Sequence, residues 1–170
     1  SALTVAKILG VDPNLATKSV ENFKGMGRRL EYKGSIRDVK FYDDYAVQPY
    51  TVLATSNALK EKFKNKKLLL VFEPHTFSRI NTFFNDFVKS LRQTKVDQIL
   101  ITELYPAREK GDRSVLAQRL ANAVKSKAIF TGSIPQTASF IKKHLKSFDT
   151  ILTMGAGDVY KIYDILAAKR

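Results

Sequence analysis

Leu68-Leu69-Leu70-Val71-Phe72 is an unbroken apolar run with no alternating polar face. A strand of that kind needs cover on both sides, which layers of helix above and below a sheet supply. The residues that follow keep the other period. Ile80, Phe83, Phe84, Phe87, Val88 and Leu91 fall at i, i+3, i+4, i+7, i+8 and i+11, one face of a helix. The alternation recurs downstream. Gln98 to Thr102, Ala128 to Phe130 and Thr150 to Met154 read as strands. Ser114 to Lys125, Pro135 to Leu145 and the segment carrying Val159, Ile162, Tyr163 and Leu166 read as helices, and upstream Pro49 opens one that runs to about Phe63.

The first third of the chain is patterned differently. Ala2 to Leu9 reads as a helix already under way. Asp12-Pro13 offers an N-cap and a first-turn proline for a second helix reaching about Phe23. Lys24-Gly25-Met26-Gly27 breaks that pattern. Arg28 to Tyr32 and Val39 to Tyr42 then read as strands joined by a turn at Lys33-Gly34-Ser35. Repeated strand–helix alternation implies right-handed crossovers. The expected fold is α/β: a single Rossmann-like three-layer domain over 1–170. Its sheet is mostly parallel, with an antiparallel leading hairpin and a helical lead-in over 1–24.

Composition narrows the function classes. A chain of 170 residues, 44% hydrophobic and 26% charged, can bury a core and is not a disordered segment. No apolar run approaches the ~20 residues of a membrane helix, no signal peptide is visible, and there is no cysteine for a disulfide or thiolate metal site. These features fit a reducing cytoplasm. The net charge of +13 points to a polyanion partner. The lysines are scattered, and glycine-rich or aromatic nucleic-acid signatures are missing. The charge therefore favours a phosphate-bearing ligand over nucleic acid.

Polar residues crowd the joints after the strands, where an open α/β sheet binds ligands. Asp43-Asp44 could hold a metal, accept ribose hydroxyls, act in acid–base work, or simply decorate a helix start. His75 and Arg79 stand where a strand passes into a helix, an arrangement suited to an anion. Arg28-Arg29 would contact phosphate or shield an edge strand. Arg108 and Glu109, after Tyr105-Pro106, read equally as solvated loop charges. Met154-Gly155-Ala156-Gly157-Asp158 gives a tight turn, but Tyr160 occupies the third glycine position of the dinucleotide fingerprint, and no G-x-x-x-x-G-K-[ST] phosphate loop exists in the chain.

Taken in order, these joints resemble the Mur ligase family. Asn22 to Arg29 resembles N-F-x-G-x-x-R-R, and Asp43 to Pro49 resembles D-D-Y-A-H-H-P. Phe72 to Arg79 resembles F-Q-P-H-R-Y-S-R, while Tyr105 to Glu109 and Met154 to Asp158 match with little change. The resemblance implies the C-terminal domain of a three-domain cytoplasmic enzyme of peptidoglycan synthesis, inert alone. The complete enzyme would phosphorylate the carboxylate of UDP-N-acetylmuramate, after which the amine of L-alanine, or another amino acid, would displace phosphate. ATP and Mg would be held mainly by the central domain. The resemblance assigns Tyr45, His75 and Arg79 to the reacting groups. Arg28, Arg29, Asp43 and Asp44 fall to the nucleotide, and Gln48, Tyr105 and Glu109 to substrate; it implies no metal ligand in this chain. Val47 and Gln48 replace the family's histidine pair, and Thr76 replaces an arginine, which leaves the amino-acid pocket open. The alternatives are the related ligase that recycles murein peptides, a degenerate ligase, and a basic nucleic-acid-binding module.

Overall fold

A computed structural model describes residues 2–23 and 25–168; Lys24, within the expected glycine break, lies outside them. Helices α1 (Ala2–Ile8) and α2 (Pro13–Glu21) come first. Asp12 caps α2 by accepting hydrogen bonds from the Asn14 and Leu15 amides at 3.0 and 2.9 Å. Strands β1 (Glu31–Ile36) and β2 (Val39–Asp44) follow, then α3 (Pro49–Lys62), β3 (Leu68–Phe72), α4 (Phe77–Thr82) and α5 (Phe84–Gln93). The remainder is β4 (Gln98–Thr102), α6 (Arg113–Val124), β5 (Ala128–Gly132), α7 (Ile134–His144), β6 (Thr150–Met154) and α8 (Lys161–Ala167).

The sheet order is β1-β2-β6-β3-β4-β5, antiparallel between β1 and β2 and parallel elsewhere. The expected α/β architecture is the one observed. Side chains of β3 alternate between two cores. Leu68, Leu70 and Phe72 pack with Val52, Leu59, Phe87 and Leu120 on one face. Leu69 and Val71 pack with Ile141, Leu145 and Ile162 on the other. Both faces of the central strands are covered, as the unbroken apolar run requires.

The leading hairpin departs from expectation. Arg28 and Leu30 have φ of 56° and 47°, which no strand accommodates, so β1 begins at Glu31 rather than Arg28. The turn falls at Arg37-Asp38, with φ of 49° and 68°, not at Lys33-Gly34-Ser35. Two consecutive positive φ values match the twist of a two-residue hairpin. Gly34 lies inside β1 at a shift of register, because a Cβ there would collide with the Tyr163 hydroxyl on α8. The helix expected from Ile80 to Leu91 is also divided, at Phe83, although bonds from Phe83 N to Arg79 O and from Phe87 N to Phe83 O run through the bend.

Candidate functional site at the carboxyl ends of the strands

The parallel register sets the strand ends level: Asp44 pairs with Met154, and Met154 with Phe72. The neighbours β3 and β6 then send their chains to opposite faces, into α4 and α5 on one side and α8 on the other. A crevice opens where connections diverge in this way.

On its β2 side the crevice is organised by Arg28. The Arg28 Nε donates to Asp43 Oδ2 at 2.8 Å, and the two Nη groups donate to the carbonyls of Gly155 at 2.5 Å and Gly157 at 3.3 Å. Its guanidinium lies over the rings of Tyr45 and Tyr160, at 5.0 and 4.6 Å from their centroids. Three of the five guanidinium N–H groups are thus committed and two remain. Arg29 is exposed and faces Tyr45 at 6.0 Å.

Asp43 and Asp44 are turned onto the chain itself. Asp43 is 1% exposed, and its second oxygen accepts from Thr153 Oγ1 at 2.7 Å. Asp44 accepts from the Leu30 and Ala46 amides, both at 2.8 Å. These bonds hold Arg28 to Leu30 in the left-handed turn that delays β1. The two carboxylates therefore set the position of Arg28 and Tyr45 and present no free oxygen to the crevice.

On the β3 side the loops after β3 and β4 form a short parallel pair. Tyr105 N donates to Pro74 O, and Thr76 N donates to Tyr105 O. The His75 ring stacks on Tyr105 at 5.6 Å. Arg79 Nη1 lies 2.7 Å from His75 Nδ1. Since guanidinium only donates, Nδ1 accepts and the imidazole proton sits on Nε2. Burial, then the Arg79 charge, lowers the His75 pKa below its ordinary 6.5, so the ring is neutral at pH 7. The start of α4 already holds an anion of its own. Glu109 accepts from Ser78 N at 2.9 Å and Ser78 Oγ at 2.5 Å, and the hydroxyl bond is the main reason its pKa is lowered. Arg108 is exposed. Gln48 is exposed at the start of α3 and lines a cleft with Pro49, Tyr50 and Phe83 that neither His75 nor Arg79 lines.

Gly157 joins the two sides. Its carbonyl accepts from Arg28, while a Cβ there would fall 2.4 Å from the Tyr105 ring and 2.5 Å from Glu73 Oε2. Only glycine fits. Glu73 and Gly157 fall in joints that the sequence marks, and Tyr160 just beyond one, but their contacts were not legible, because the partners come from distant segments around Arg28 and Tyr105. Glu73 is 1% exposed and accepts from Val159 N at 3.2 Å. Burial pushes its carboxyl up from 4.5 to about 7, against the opposing pull of the Val159 and Asp158 amides.

Thr76 has φ 63° and ψ 140°, a conformation suited to glycine and costly for a β-branched residue. Relief of strain, on the order of 1–3 kcal/mol, outweighs the roughly 0.5–1 kcal/mol entropic cost of glycine. Thr76→Gly is therefore expected to raise stability by about 1 kcal/mol in urea unfolding; a lower unfolding midpoint would show that the conformation carries no strain.

The family model for the Mur ligase glutamate ligase domain matches residues 28–157. The chain belongs to the Mur ligase family. A UDP-N-acetylmuramate–L-alanine ligase of Alkaliphilus metalliredigens is 38% identical over 172 residues, covering 100% of this chain and 37% of that protein. The Aquifex aeolicus ligase of the same name is 37% identical, covering 95% and 35%. The chain thus spans little more than a third of the length of these relatives. Among solved structures, the Thermotoga maritima UDP-N-acetylmuramate–alanine ligase superposes with a TM-score of 0.78 at 24% identity, covering 98% of this chain and 35% of that one. A domain of a Haemophilus ducreyi ligase, described as a putative UDP-N-acetylmuramate:L-alanyl-γ-D-glutamyl-meso-diaminopimelate ligase, has a TM-score of 0.62 at 25% identity. It covers 83% of this chain and 98% of that domain.

Proposed function

We propose that this chain is the C-terminal, closing domain of a cytoplasmic ATP-dependent ligase that joins L-alanine to UDP-N-acetylmuramate in peptidoglycan synthesis. The observation that carries the reading is the contact Gly157 makes with both groups of side chains. Through Gly157, a cationic and aromatic group around Arg28 meets the His75–Arg79–Tyr105 group, so a nucleotide and a reacting carboxyl can lie side by side.

ATP would supply the phosphoryl group that activates the muramate carboxylate, with Mg and most phosphate contacts held outside this chain. The two uncommitted Arg28 N–H groups and the exposed Arg29 suit phosphate oxygens, and the Tyr45 ring steadies both cations. Asp43 acts through Arg28, and Asp44 through the Leu30 and Ala46 amides, rather than on the nucleotide. Arg79 places a fixed positive charge where charge builds up on the activated carboxyl and the tetrahedral intermediate. His75, neutral with its proton on Nε2, adds a donor without a second full charge. Tyr105 orients His75 by stacking, and Glu109 fixes the start of α4 that carries Arg79.

Two outcomes test the assignment. Arg79→Ala in the complete ligase should lower turnover at least tenfold without shifting thermal unfolding of the domain; unchanged turnover would remove Arg79 from the reacting site. The 170-residue chain should show no micromolar ATP affinity in calorimetry, because it has no phosphate loop. Micromolar binding would contradict the division of labour between domains. One observation favours a second reading, a ligase of altered or lost amino-acid specificity: Thr76 and Val47 bring neither charge nor imidazole to the site.

A further inference from the structure

The five parallel strands enter the sheet from the edge opposite the crevice. Their starts are level: Lys40 pairs with Thr150, Thr150 with Leu68, and Leu69 with Gln98. Backbone bonds tie the entering segments together, from Lys40 N to Asp149 O, Asp149 N to Lys67 O and Asp97 N to Leu68 O. Lysines that are scattered along the sequence are gathered by this topology. Segments 37–38, 60–67, 92–97, 125–127 and 142–149 lead into β2, β3, β4, β5 and β6, and together hold thirteen Lys and Arg against four Asp and Glu. On the crevice edge, segments 28–31, 43–48, 73–79, 103–113 and 155–161 hold seven against eight. Nine of the net thirteen positive charges therefore sit on the strand-entry edge, while the ligand edge is nearly neutral.

The acids on this edge are largely spent. Glu61 pairs with Lys64 at 3.1 Å, Asp97 with Lys60 at 2.6 Å and Asp149 with Lys66 at 3.4 Å. Among the described residues Lys62, Lys67, Lys95, Lys142, Lys143 and Lys146 make no ion pair, and all six are exposed. A helix dipole favours cations in the last turn and fades beyond it; Lys64, Lys67, Lys95 and Lys146 lie past the last turns of α3, α5 and α7. The kind of partner follows from the chemistry of the edge. Eleven of the thirteen cations are lysines, hydrated point charges on flexible stems, not the planar forks that grip a phosphate or a base edge. No exposed Phe or Tyr in these segments offers a base a ring to stack on. Helices α3, α5, α6 and α7 turn their carbonyl ends to this edge, whereas close phosphate contacts use amide ends. Across five strands the edge is about 20 Å wide. A broad field of lysines of this kind suits a diffuse layer of negative charge, such as the headgroups of an anionic bilayer. A second copy of this chain is a poor fit, because a net charge of +13 on each molecule opposes self-association.

We propose that the strand-entry edge is a peripheral docking surface for an anionic lipid bilayer, which holds the protein with its crevice turned away from the membrane. The attraction is electrostatic and reversible, since the edge carries no exposed large apolar side chain to insert. The surface and the crevice lie at opposite ends of the strands, so the docking face is independent of the ligase reading.

Vesicle sedimentation of the complete polypeptide tests this, with vesicles of phosphatidylglycerol and phosphatidylcholine in equal parts. At about 50 mM salt, partitioning onto them should exceed that onto phosphatidylcholine alone at least tenfold, and it should be lost at about 500 mM. Replacing Lys95, Lys142 and Lys146 together by Gln should weaken partitioning at least tenfold. Replacing Lys18, Lys89 and Lys110 together by Gln removes the same charge away from this edge and should change partitioning less than about threefold. Equal losses in the two variants would show that total charge alone acts, and would overturn the proposal. So would a parent protein that stays in solution with the mixed vesicles at low salt. Release of the protein from the vesicles by duplex DNA at equal phosphate concentration would overturn it in favour of nucleic acid. Partitioning needs neither ATP nor UDP-N-acetylmuramate, so failure of the docking face and failure of the ligase assignment are distinguishable.

Discussion

Arg28→Ala should cost the domain about 3 kcal/mol, because it strips the partner from a buried carboxylate. Asp43 is 1% exposed and would keep only Thr153 among its side-chain partners. The carbonyls of Gly155 and Gly157 would lose their donors as well, and unsatisfied polar groups add to the penalty. Arg28 is 24% exposed, and water entering the gap keeps the loss below the upper end of the range for a broken buried pair. At roughly 2–4 °C per kcal/mol for a domain of this size, the thermal midpoint should fall by about 10 °C. Arg28→Lys should recover only part of the loss, since an ammonium cannot reach one carboxylate and two carbonyls with a planar fork. A loss below about 1 kcal/mol for the alanine variant would show that the guanidinium does not hold the crevice together.

Glu73→Gln should abolish a pH dependence of stability that the parent shows between about pH 4.5 and 7. The Glu73 carboxyl is raised from 4.5 to about 7 by burial. The folded state therefore holds its proton more tightly than the unfolded chain does. The associated stability is complete below the unfolded value and is lost as pH rises through the folded one. At about 1.4 kcal/mol per pH unit, the ceiling on the loss is about 3 kcal/mol. Glutamine keeps an oxygen to accept from Val159 N, carries no charge, and is the residue of the family pattern at this position. The variant should match the parent near pH 4 and exceed it at pH 8. His75 works in the opposite sense: its lowered pKa costs stability as pH falls through its range. That contribution is common to both proteins and cancels in their difference. Parallel pH profiles for parent and variant would show that Glu73 is ionised and solvated at neutral pH.

The strands from β2 to β6 and the helices between them were legible because burial on two faces writes itself as apolar runs and helical offsets. The joints were legible for a related reason, since polar residues gather where strands end. What the sequence could not show depended on distant partners. The left-handed turn at Arg28 to Leu30 is held by carboxylates of Asp43 and Asp44, and Arg37-Asp38 carries no turn signal as strong as the nearby glycine. Gly34 looked like a turn residue, but its lack of a side chain serves the approach of Tyr163. Among the candidate site residues, His75, Arg79 and Tyr105 come together, and Arg28 and Tyr45 come together. Gln48 lies apart, and Asp43, Asp44 and Glu109 are engaged with the chain itself. The burial of Glu73 was not legible, because a glutamate after a strand looks solvated until the Gly155–Val159 loop closes over it.

In the proposed function this domain closes over an activated muramate carboxyl and an incoming amino acid. Phosphate release by the complete polypeptide, measured with ATP, Mg and UDP-N-acetylmuramate while single amino acids are added in turn, tests it most directly. Release should depend on L-alanine and fall at least tenfold with Arg79→Ala. Binding of ATP and UDP-N-acetylmuramate with no release on addition of any amino acid would contradict it.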